Sequence, residues 1–160
     1  MRAKPIVRRE GTKYSVRFVG AQRALLDELL PWLAYRREGE PALTVWAGCG
    51  RERLEQLHAR VSSGDQVVLS LEDLHILHAV LLSVHSMFAS EEAFHTQLGF
   101  YRENAYDLAG GLVKAVEEAA AASCSEPVAV PLPPCGGGPP SGPADGPRDA
   151  PHPAPLFKLR

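Results

Sequence analysis

Cysteine is scarce: Cys49, Cys124 and Cys135 are the only three among 160 residues. The number is odd and no C-x-x-C pair occurs, which argues against a zinc ribbon and against a disulfide scaffold. Inert thiols and a cytoplasmic, reducing compartment are expected. No apolar run approaches the roughly 20 residues that a membrane helix needs. The basic start Met1-Arg2-Ala3-Lys4-Pro5 leads into no apolar segment, so no secretion signal is expected. The chain also lacks G-x-G-x-x-G, a P-loop and G-x-S-x-G, so nothing announces a dinucleotide, a nucleoside triphosphate or a serine nucleophile. Gly48-Cys49-Gly50 is at best half of a phosphate loop, and such glycines more often only turn the chain.

Proline and glycine are unevenly spread. Residues 127–160 hold 11 of the 14 prolines and 5 of the 14 glycines. Such a segment buries too little apolar surface to offset its ordering entropy. The expected organisation is therefore a globular domain over 1–122 and a disordered tail over 123–160. Charge is uneven too. Residues 1–17 carry six cations against Glu10 alone, whereas residues 18–125 carry 8 basic and 15 acidic side chains. A basic front on an acidic body suits an anionic partner, yet the same cations also read as the solvated face of a hairpin. The overall net charge of −2 argues against nucleic-acid binding.

Apolar periodicity sets the expected elements. Tyr14, Val16 and Phe18 alternate with polar neighbours, as in a half-buried strand. Glu10-Gly11-Thr12 breaks the run and suggests a hairpin. Leu25, Leu26, Leu29, Leu30 and Leu33 recur at helical spacing over 21–37, with Pro31 expected to kink or end that helix. Residues 43–46 are read as a short strand, 51–61 as a helix and 66–69 as the last strand. Ser70 and Asp73 resemble a capping box opening the most apolar helix, 71–88. Residues 90–98 form a short helix ended by Gly99, and 101–122 the final one. Gly110-Gly111 inside it costs about 1 kcal/mol per glycine relative to alanine, for which packing or a bend is the expected reason. The fold class is α+β: a small mixed sheet, made of the N-terminal hairpin plus one or two strands, packed against three to five helices.

Histidine is the natural place to look for chemistry. Glu72-x-x-His75-x-x-His78 lies on the long helix, where residues three apart share a face, so the three form a candidate metal cluster. His85 lies roughly 10 Å further along the axis. A second Glu-x-x-His occurs at Glu92 and His95, but a di-iron bundle needs four long helices and two further glutamates. On the helical wheel His78 and His85 border the apolar stripe and His75 faces away. The imidazoles are therefore expected to be bystanders at the edge of a core, with no catalytic residue, no cofactor and no metal. Cys49 would need an adjacent base to act as a nucleophile.

The stretch 74–112 contains Leu74-His75-Ile76-Leu77-His78-Ala79-Val80-Leu81, then Phe94-His95-Thr96-Gln97-Leu98-Gly99-Phe100 and Arg102-Glu103-Asn104-Ala105. It resembles the C-terminal half of small, mostly uncharacterised bacterial cytosolic proteins, some of which look like immunity or accessory proteins of toxin systems. The resemblance covers about 40 residues and transfers no catalytic residue. The lack of a paired nucleophile and base, a metal signature and a cofactor loop leads to the expectation of a non-enzymatic protein that works by binding another protein, and the resemblance implies an immunity- or accessory-like role. Metal binding or metal-dependent hydrolysis through Glu72, His75 and His78 is the alternative, and an anion-binding module built on the N-terminal cations is the third.

Overall fold

The structure is a computed structural model that describes residues 4–124. The tail expected over 123–160 lies outside the described residues, except for Ser123 and Cys124, which extend the last helix. Two strands, β1 (Ile6–Glu10) and β2 (Lys13–Arg17), form the hairpin. Gly11 takes the turn with φ +63°, a backbone region that costs glycine no steric penalty. Helices α1 (Ala21–Ala34), α2 (Glu40–Ala47) and α3 (Arg51–Ser62) follow, then strand β3 (Gln66–Ser70). Helices α4 (Leu71–Ser86), α5 (Glu91–Leu98) and α6 (Arg102–Cys124) complete the described chain. The sheet order is β1-β2-β3 and both pairings are antiparallel. It is thus the small α+β fold expected, with the hairpin plus one strand, although nothing in the sheet is parallel.

Residues 43–46 are a correction: they are helical, not a strand, which brings the helices to six. The decisive signals lie at the flanks. Pro41 occupies the first turn of α2, where its missing N–H costs nothing. Gly48 closes the helix in the left-handed region at φ 73°, donating its N–H to the Thr44 carbonyl. Pro31 does not stop α1 at once. The helix runs three residues further, and the Tyr35 N–H still reaches the Pro31 carbonyl at 3.1 Å.

One core unites the sheet and all six helices. Tyr14, Val16, Val67 and Leu69 cover the inner sheet face, and the α1 leucines are fully buried. Phe94 anchors the short α5 and is fully buried. Helix α6 packs along both α4 and β1. Gly111 is what allows the second approach, because a Cβ there would stand 3.2 Å from Pro5 Cδ. Gly110 is exposed and meets nothing within 4 Å, so close packing accounts for one glycine of the pair and not for the other.

The junction between β3 and α4 is a polar lock. Ser70 caps α4 by accepting from the Asp73 N–H, and the Asp73 carboxylate accepts from the Ser70 N–H at 2.9 Å. The capping box read from Ser70 and Asp73 is therefore present. The same carboxylate, 2% exposed, also receives Arg53 at 2.6 Å and a two-pronged contact from Arg60 at 2.8 and 2.9 Å. Burial by itself would raise the Asp73 pKa. The Arg60 guanidinium and the Ser70 donors outweigh burial and hold it at about 2. One aspartate thus ties α3 to the first turn of α4.

Candidate functional site

Helices α4 and α6 enclose a groove of about 570 Å³ that is open to solvent. Its floor is Leu74, Leu112 and Val116, and its edges carry Leu71, Val113, Glu72, His75, His78 and Glu117. Five aliphatic side chains make the trough, and two carboxylates and two imidazoles stand around it. Leu71 is 58% and Val113 42% exposed, and with the groove floor they make one contiguous apolar surface. On α4, Leu71, His75, His78, Leu82 and His85 follow one another at helical spacing. Leu82 is also exposed, and the His85 ring meets Tyr106 of α6 at 4.7 Å between centroids. From Leu71 to His85 this face runs about 21 Å, roughly four helical turns.

The candidate residues Glu72, His75 and His78 are therefore together, on one wall of this groove. His75 and His78 line a solvent-reachable hollow together with Glu72 and Glu117. Yet among the described residues no group of three or more His, Cys, Asp or Glu side chains is placed to hold a metal ion. Glu92 and His95 lie exposed on α5, and His95 stacks on Tyr101 at 4.6 Å.

Other candidates are also placed. Cys49 is half-buried, and that burial pushes its thiol pKa up. A raised pKa leaves little thiolate at neutral pH, the opposite of an activated nucleophile. The tail segment 155–160, a candidate tether or docking peptide, lies outside the described residues. Among the described residues no helix is long and apolar enough to cross a membrane.

A second hollow, of about 530 Å³, lies where α1, the loop after it, and the end of α4 meet. Trp32 stacks on Phe88 at 4.6 Å, and Phe88 meets Phe94 edge-on at 5.0 Å. The Arg36 guanidinium lies 4.8 Å from the Trp32 ring centre and 5.2 Å from that of Trp46. Glu38 pairs with the same guanidinium, which holds the Glu38 carboxyl at about 2. That cation is already satisfied, which makes this hollow the poorer binding surface.

Helical wheels of single helices miss the α6 half of the groove. Val113 and Glu117 stand four residues apart on the solvent side of α6 and could have been read as one exposed stripe. Only the packing of α6 on α4 shows which side of that stripe faces a trough. No known protein family, no curated protein and no solved structure matches the chain.

Proposed function

We propose that this protein is a cytosolic, non-enzymatic binding protein whose groove between α4 and α6 receives an amphipathic segment of another protein. The observation that carries this reading is an open apolar trough with acidic edges. Large aliphatic side chains left in water, rimmed by polar groups, are what a helix-in-groove interface presents before it is filled. The α4 wall of the groove, Leu71 to His78, spans about two helical turns and suits a partner segment of similar length. Glu72 and Glu117 favour basic residues flanking the partner's apolar anchors, and the acidic excess of residues 18–125 acts in the same direction.

Peptide-display selection on the full chain tests this. The selected peptides are expected to carry apolar residues at spacings of three and four, flanked by Lys or Arg. They should lose at least tenfold in affinity for Val113→Asp, with an unchanged circular dichroism spectrum showing that the variant keeps its fold. Peptides that bind Val113→Asp and Leu71→Asp as well as they bind the parent would overturn the proposal. The alternative, metal binding by Glu72, His75 and His78, is supported only by their sharing one groove. Stoichiometric metal in untagged protein, lost in His75→Ala and His78→Ala, would favour it instead.

A further inference from the structure

The outer face of the sheet carries a second, chemically different hollow. It measures about 160 Å³ and is lined by Ile6, Arg8, Ser15, Arg17 and Gln66. The strand register explains the grouping. Arg8 lies opposite Ser15, Arg17 lies opposite both Ile6 and Gln66, and Ser15 and Arg17 share a face two residues apart. Two guanidinium groups are thus diagonal neighbours on one small patch, about 7–8 Å apart at the backbone. Like charges so placed repel unless an anion lies between them.

The patch is built as a donor site. Among the described residues neither Arg8 nor Arg17 has a carboxylate partner, which is true also of Arg9, Arg37 and Arg51; what sets Arg8 and Arg17 apart is that they share one hollow. Ser15 is 4% exposed and lies under these side chains. Its hydroxyl oxygen accepts from the Gln66 amide. No acidic side chain lines the hollow. On the same face of β1, Glu10 lies two residues from Arg8 and opposite Lys13, outside the hollow.

We infer that this hollow binds one phosphoryl group, as inorganic phosphate or on a small phosphomonoester. Arg8 and Arg17 supply planar pairs of N–H donors that match a tetrahedral oxyanion, and Ser15 supplies a hydroxyl donor beneath. The volume is that of roughly five liquid waters, enough for one oxyanion and a short organic stem. The site is on the sheet face and shares none of the residues that line the groove between α4 and α6, so it stands or falls independently of the peptide-binding proposal.

The test is a heteronuclear NMR titration of the full chain at constant ionic strength. Inorganic phosphate, glycerol 3-phosphate and chloride are compared. Saturable shifts are expected at Arg8, Ser15, Arg17 and Gln66, with a dissociation constant on the order of 1 mM for a water-exposed charged site. Response to phosphate alone would identify the free ion, and a stronger response to glycerol 3-phosphate would identify a phosphomonoester; either supports the site. Arg8→Gln and Arg17→Gln should each weaken binding about tenfold. Circular dichroism melts are expected to stay unchanged, because both side chains are exposed. Shifts that chloride reproduces, or phosphate binding that survives both substitutions, would overturn the inference. So would binding of a DNA duplex with no response to phosphate, which would mark a diffuse polyanion surface.

Discussion

Asp73 gives the sharpest quantitative prediction. Asp73→Asn keeps the size of the side chain and an oxygen to accept from the Ser70 N–H, but removes the charge that holds Arg53 and Arg60. In the fold this carboxyl titrates at about 2 against an ordinary 3.8. Each unit of such a difference is worth about 1.4 kcal/mol, so ionised Asp73 contributes about 2 kcal/mol. The carboxylate is 2% exposed, so solvent screening removes little of that. The sign follows from linkage. A depressed carboxyl pKa adds stability that is complete above 3.8 and is lost as pH falls toward about 2. Urea unfolding followed by circular dichroism should show Asp73→Asn about 2 kcal/mol less stable at neutral pH. The gap between the two proteins should close in acid, because protonated Asp73 resembles the amide. Asp73→Ala also loses the helix cap and should cost about 1 kcal/mol more. A neutral-pH difference below about 0.5 kcal/mol, the usual scatter of surface substitutions, would refute the reasoning. A gap that stays constant in acid would refute it too.

Other substitutions test the remaining packing claims. Gly110→Ala should stabilise the protein by about 1 kcal/mol, since the site is exposed, helical and unobstructed. Gly111→Ala should gain less or destabilise, because Pro5 must move; chemical denaturation of both variants checks the contrast. Phe94→Ala should cost about 3–5 kcal/mol, the range for removing a fully buried aromatic ring, measured by thermal or urea unfolding. Cys49 should react with iodoacetamide several-fold more slowly than a free thiol at neutral pH, because burial raises its pKa; mass spectrometry of the alkylated peptide gives the rate.

What was readable in advance divides by range. Tyr14 and Val16 alternate and lie on the inner sheet face. Ser70 and Asp73, three residues apart, do form the cap. Gly99 ends α5 as its position suggests, in the left-handed region. These are local matters, settled by one strand or one helical turn. Residues 43–46 failed because Leu-Thr-Val-Trp is too short for its periodicity to choose, whereas Pro41 and Gly48 at the flanks do choose. The Asp73 lock was half legible: Ser70 is three residues away, but Arg53 and Arg60 come from a different helix. Gly111 had no local explanation because Pro5 is far off in sequence. The groove was invisible for the same reason. Glu72, His75 and His78 could be placed on one helix face, but Val113, Val116 and Glu117 join them only once α6 lies against α4.

The most direct test of the binding role is methyl NMR of the full chain titrated with a display-selected peptide. Shift changes should concentrate at Leu71, Leu74, Leu112, Val113 and Val116, and Glu72→Lys with Glu117→Lys should reverse the preference from basic to acidic flanks. Perturbations centred instead on Leu33, Met87 and Leu98, near the Trp32 and Phe88 hollow, with the groove methyls unmoved, would contradict it.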